Sequence, residues 1–132
     1  MKISASIKSS FNQHDILVQT NNDAKGISIA PKASGFGSSV NGGELLLLSL
    51  ATCFCNDIYR EAAKRNLQLT DVEVVCHGEF GAEGETGSNF TYTVNIISEA
   101  PQREIEDLIQ YTDNIAEVHN TLRKGINITL TS

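Results

Sequence analysis

The chain has 132 residues, of which 40% are hydrophobic and 20% charged, and a formal net charge of −6 at pH 7. That length suits one domain over residues 1–132. The acidity argues against nucleic acid or an anionic membrane surface as partner, since both reward basic patches.

No apolar leader follows Met1, so the sequence predicts a cytoplasmic protein without signal peptide or transmembrane segment. Residues 2–8 alternate, Ile3, Ala5 and Ile7 against Lys2, Ser4, Ser6 and Lys8, the pattern of a half-buried strand. A second strand is expected over Asp15–Thr20, then a turn over Asn21–Gly26, then a third strand through Ile27 and Ile29, closed by Pro31. An antiparallel meander is the economical arrangement. Residues 33–43 are rich in glycine but lack a Gly-Lys-Ser/Thr ending or Gly-x-Gly-x-x-Gly spacing. They read as a flexible lead-in rather than a phosphate loop.

From Glu44 to Asn66 the chain has no Gly or Pro, and Leu and Ala dominate the first half. Asn41 can cap this helix, Glu44 suits its first turn, and Lys64 and Arg65 suit its last. The first half is apolar on every face: Leu45 to Leu48, Leu50, Ala51 and Phe54. It is too short to span a bilayer, which needs about 20 apolar residues. Cover on every side is therefore required, and a second copy of the chain supplies it in an obligate homodimer. After Asn56 the expectation is amphipathic, with Ile58, Ala62 and Tyr59 inward and Asp57, Arg60, Glu61 and Lys64 outward. Cys53 lies in the buried part, and Cys55 lies about 200° around the axis from it, too far for a disulfide within the helix. With no Cys/His set at zinc spacing, no structural metal is expected, nor any other cofactor.

Leu69–Phe80 reads as a strand with Val72, Val74 and Cys76 on one face and His77 on the other. Residues 81–88 form a polar hairpin loop, and Phe90, Tyr92, Val94 and Ile96 mark the partner strand. Pro101 opens a helix with a stripe of Ile105, Leu108 and Ile109. Asn114 starts a short helix bearing Ile115, Val118 and Leu122 and ending at Gly125. Ile126, Ile128 and Leu130 alternate as a closing strand. The order β-β-β-α-β-β-α-α-β defines an α+β fold.

The glycine-rich approach to Glu44-Leu45-Leu46, with Cys53 nine residues after Glu44 in a hydrophobic helix, resembles the OsmC/Ohr family. The resemblance implies an OsmC-like fold, an intertwined dimer whose central buried helices are wrapped by sheets from both subunits. It also implies thiol-dependent reduction of organic hydroperoxides or hydrogen peroxide in oxidative-stress defence, with Cys53 attacking. In that family an arginine of the N-terminal strands, held by a glutamate that Glu44 matches, lowers the thiol pKa. The first arginine of this chain is Arg60. Lys25, Lys32 or a protonated His119 would have to substitute. The resolving cysteine of the family falls at Ala116 here, so the expectation is a one-cysteine cycle completed by an external thiol. Cys76 is the cysteine free to approach Cys53 from another element, and His119 is an auxiliary candidate. The alternative is a non-catalytic dimer of this type whose cavity binds a small apolar molecule.

Overall fold

The computed structural model describes residues 1–131. The chain separates into two compact units, Met1–Glu44 and Leu45–Ser132.

The first unit is an antiparallel sheet in the order β1 (Ile3–Ser10), β2 (Gln13–Thr20), β3 (Asp23–Ile27). Pairing runs Ser10↔Gln13 and Thr20↔Asp23, so each hairpin turns on two residues, 11–12 and 21–22. Asn12 and Asn21 take positive φ of 56° and 52°, the left-handed conformation that asparagine tolerates best after glycine. The turn expected over Asn21–Gly26 is thus shorter, because one left-handed Asn closes it, and β3 starts earlier and ends at Ile27. The loop after β3 is closed by backbone hydrogen bonds. Lys32 N–H donates to Gly37 O at 3.0 Å, and Gly35 N–H to Lys32 O at 2.8 Å. Gly35, at φ 89°, lies so close to Phe11 that a Cβ would meet its ring at 2.6 Å. Ile3, Ile7, Leu17 and Ile27 of this sheet are exposed in the single chain.

The second unit is organised on α1 (Gly42–Lys64), followed by β4 (Asp71–Glu79), β5 (Ser88–Ile97), α2 (Gln102–Ile115) and α3 (Glu117–Lys124). β4 and β5 form an antiparallel hairpin with Val74 opposite Val94 and Cys76 opposite Tyr92. Its inner residues Val72, Val74, Tyr92, Val94 and Ile96 pack on a core of Phe54, Ile58, Ala62, Leu108 and Ala116. The ladder is irregular between His77 and Glu79. Gly78 sits there beneath Phe90, whose ring leaves no room for a side chain. α3 ends on Gly125 in the left-handed conformation, as its sequence position predicts.

Two further expectations need correction. Residues 126–130 form no strand, and Ile128 and Leu130 are 96% and 99% exposed. Alternation prepares a strand, but a strand exists only against an edge that takes up its backbone groups. On α1, Asp57 and Glu61 are buried while Tyr59 is exposed. The two acids can turn inward because Arg60 reaches both, with Lys64 adding to Glu61. The apolar half of α1 is only partly covered by its own chain, and Leu45 and Leu48 remain exposed. No described helix is long and apolar enough to cross a membrane.

Candidate active site

α1 begins with a reciprocal cap. Asn41 Oδ1 accepts from the Glu44 backbone N–H at 2.8 Å, and Glu44 Oε1 accepts from the Asn41 backbone N–H at 2.9 Å. This capping box satisfies donors that every helix start leaves open, giving Glu44 a complete structural task.

Cys53 is half-buried on the face of α1 that meets the core, and all three cysteines are free thiols. Its Sγ–H donates to Asp57 Oδ2 one turn on, at 3.7 Å. The Val118 backbone N–H favours the charged form of the sulphur. Glu117, the first residue of α3, completes the group: Cys53, Asp57 and Glu117 bring ligand atoms within 4.8 Å of one another. These three donors could hold a cation, although no such set was foreseen from the sequence.

The electrostatics oppose the expected activation. Burial pushes the Cys53 thiol above its ordinary pKa, and the charges of Asp57 and Glu117 push the same way. Only the Val118 N–H favours the thiolate. The Asp57 carboxyl is itself raised, by burial and then by the Glu117 charge, with Arg60 opposing from 3.0 Å. Arg60 thus supplies a cation to the acid, not to the thiol. Lys25 is exposed and pairs with Asp23. A protonated His119 is also not the natural state: burial, then the Arg123 charge, hold its pKa below the usual value. Cys76 lies on the inner face of β4, its thiol raised by burial.

The sequence reading did not place Asp57 and Glu117 beside Cys53. The first carried a legible signal, since Cys53 and Asp57 are four apart on one helix face. The second did not, because only the turn at Ala116 brings α3 to that face. Ala116, where the family resemblance would place a cysteine, is fully buried in the core. A second polar set lies nearby on β5, α2 and α3. Tyr92 O–H donates to Asp113, which Arg123 also holds at 2.7 Å. Burial works against the Asp113 carboxylate, yet these two bonds keep its pKa below the ordinary range. His119 packs edge-on to Tyr92.

A free, half-buried thiol on a central helix, backed by a two-stranded sheet and hydrogen-bonded to a buried acid, defines an α+β thiol protein. The profile described as OsmC-like protein matches residues 35–131, and the chain belongs to that family. Solved structures agree in fold. An OsmC-like protein from Mycoplasma pneumoniae superposes with a TM-score of 0.61 at 20% identity, covering 98% of each chain. An OsmC-like hydroperoxide resistance protein from Jannaschia sp. gives 0.59 at 16% identity, covering 96% of this chain and 87% of its own. An organic hydroperoxide resistance protein from Legionella pneumophila gives 0.57 at 21%, covering 96% and 93%. No curated protein matches the sequence.

Proposed function

We propose that the protein is a homodimeric, one-cysteine reductase of organic hydroperoxides or hydrogen peroxide, in which Cys53 reacts and Asp57 handles its proton. The observation that carries this reading is the Cys53 Sγ–H···Oδ2 Asp57 hydrogen bond at 3.7 Å. A thiol kept protonated by its surroundings reacts only if its proton leaves as the new bond forms. A carboxylate with raised pKa is a better acceptor than an ordinary one.

In the proposed step the sulphur attacks the hydroxyl oxygen of R–O–O–H. The S–O bond forms as the O–O bond breaks. The thiol proton passes to Asp57 and from there to the leaving oxygen, so the products are Cys53 sulfenic acid and the alcohol R–OH, or water when the oxidant is hydrogen peroxide. One external thiol then condenses with the sulfenic acid, releasing water. A second frees Cys53 as the external disulfide departs. Three free thiols suit a reducing, cytoplasmic setting. Glu44 acts by capping the helix that carries Cys53.

The test is peroxide consumption with dithiothreitol. Cys53→Ser should fall to background and Cys55→Ser should keep most of the activity. A wild type that consumes no hydroperoxide with any thiol would end this reading and leave the non-catalytic, ligand-binding alternative.

A further inference from the structure

α3 has 8 residues, and His119 is its one buried side chain. The ring is 4% exposed and packs on Phe54 and Tyr92, at centroid distances of 5.9 Å and 4.7 Å. Neither ring nitrogen has a hydrogen-bond partner among the described residues. Val118 is half-buried and Leu122 is exposed. The hydrogen bonds that tie α3 to α2 lie at the surface. Arg123 donates to Asp113 Oδ1 at 2.7 Å and to Asp113 O at 3.1 Å, and Asn120 Nδ2–H donates to Asn114 O at 2.9 Å. A helix of two turns is marginal in water without packing. The anchor of α3 in the core is therefore an ionisable ring that fits there as a neutral one.

We propose that α3 is an acid-released latch beside Cys53, closed while His119 is neutral and opened when His119 takes up a proton. An imidazolium has two N–H donors, and in the closed form neither has a described acceptor. Water meets both once the ring leaves the core. Without its anchor α3 unravels locally, while Ile58, Val74, Val94 and Leu108 keep α1, β4, β5 and α2 together. Opening takes Glu117 away from Cys53 and Asp57, which it approaches within 4.8 Å in the closed form. As regulation of the thiol this rests on the peroxide reading above; as a motion of α3 it does not.

The charged and titratable groups facing His119 are Asp57 on α1, Tyr92 on β5, Asp113 on α2 and Arg123 on α3 itself. Burial disfavours the charged ring most and Arg123 adds to it, while Asp113 and Asp57 oppose without reversing the balance. Both acids are engaged elsewhere, Asp113 with Tyr92 and Arg123 and Asp57 with Arg60. A released ring titrates near 6.5 and the closed ring lower, so opening takes up a proton and grows as pH falls. Between pH 7.5 and 5 this linkage raises the open population by at most about thirtyfold, a ceiling set by a free histidine.

The experiment is amide hydrogen exchange of the full chain at pH 5 and 7.5, each rate corrected for the intrinsic exchange of an open amide. Protection of the α3 amides should fall by about tenfold or more from pH 7.5 to 5. At pH 5 the β4 and β5 amides should stay at least about tenfold better protected than those of α3, because the opening is local. In His119→Phe, α3 protection should hold within about threefold across the same range. Undiminished α3 protection in the wild type, an equal fall in His119→Phe, or one shared protection for α3 and the β4–β5 hairpin would each overturn the latch. Should His119→Phe fail to fold, the His119 ring resonances decide. The closed ring must be mostly neutral at pH 6.5, and a ring half charged there would overturn the proposal. No readout uses peroxide, so failure of the Cys53 chemistry leaves the latch standing.

Discussion

Cys53 and Asp57 face each other across one turn of α1, the thiol donating to a carboxylate whose own pKa is raised by burial and by Glu117. Two consequences oppose each other. The Asp57 charge makes the thiolate harder to form, while its oxygen offers the departing proton a place to go.

Asp57→Asn separates them. Removing the negative charge lowers the Cys53 pKa, so alkylation by iodoacetamide at pH 7 should become faster. Iodide leaves without a proton, whereas alkoxide from a peroxide needs one. Peroxide reduction should therefore fall, on the order of a hundredfold. If both rates rise together, Asp57 is only an electrostatic burden on the thiol. Parallel rate measurements on the same preparations read the difference.

His119 gives a pH signature. Its folded pKa lies below the ordinary value near 6.5, first because it is buried. The unfolded chain thus binds more protons in that window, and stability falls as pH drops from about 6.5 toward the folded pKa. In His119→Phe that loss should vanish, and stability at pH 7.5 should rise by about 1–2 kcal/mol because two unmet nitrogens are gone. Asp113, with its lowered pKa, loses its contribution in a lower window, below about 3.9. Asp57, raised, acts with the opposite sign. Comparing urea midpoints of variant and wild type at pH 5 and 7.5 cancels both.

The parts of this molecule that were legible are those set by local pattern. Alternation in Ile3–Ile7 and Val72–Cys76 marks real strands, the Asn41–Glu44 cap forms, and Gly125 ends α3. Patterns that depend on a partner were not. Asp57 and Glu61 look like solvated residues until Arg60 and Lys64 fold over them. Ile126–Leu130 looks like a strand, but no described edge receives it. Cys53 was singled out through family likeness, whereas the nearness of Glu117 to it required the turn between α2 and α3.

Gly78 is a packing constraint that the sequence did not advertise. A Cβ there would lie 2.4 Å from the Phe90 ring, inside any real contact. Gly78→Ala should cost about 1–3 kcal/mol through overpacking. Adding Phe90→Leu should recover part of it, because the clash is with the ring. Thermal melts of the two variants give the answer, and an additive loss would point to backbone conformation at the bulge instead.

The last prediction concerns what covers α1. Leu48 is 60% exposed and Leu45 40%, on a helix whose other leucines are turned inward or half-covered. Ile3, Ile7 and Ile27 of the first sheet are likewise open. So much apolar surface on one small chain is what an obligate dimer interface leaves behind when its partner is removed. The expected species at micromolar concentration is a homodimer by sedimentation equilibrium. Leu48→Lys should weaken it by about a hundredfold or more, since a symmetric contact brings two unpaired charges into one apolar seam. An obligate dimer has no stable protomer of its own, so the variant should lose helical circular dichroism together with mass. A wild type that stays monomeric and folded would mean that α1 tolerates its open face. The homodimer in the proposed function would then be wrong, while the Cys53–Asp57 hydrogen bond, which lies within one chain, would still be there to test.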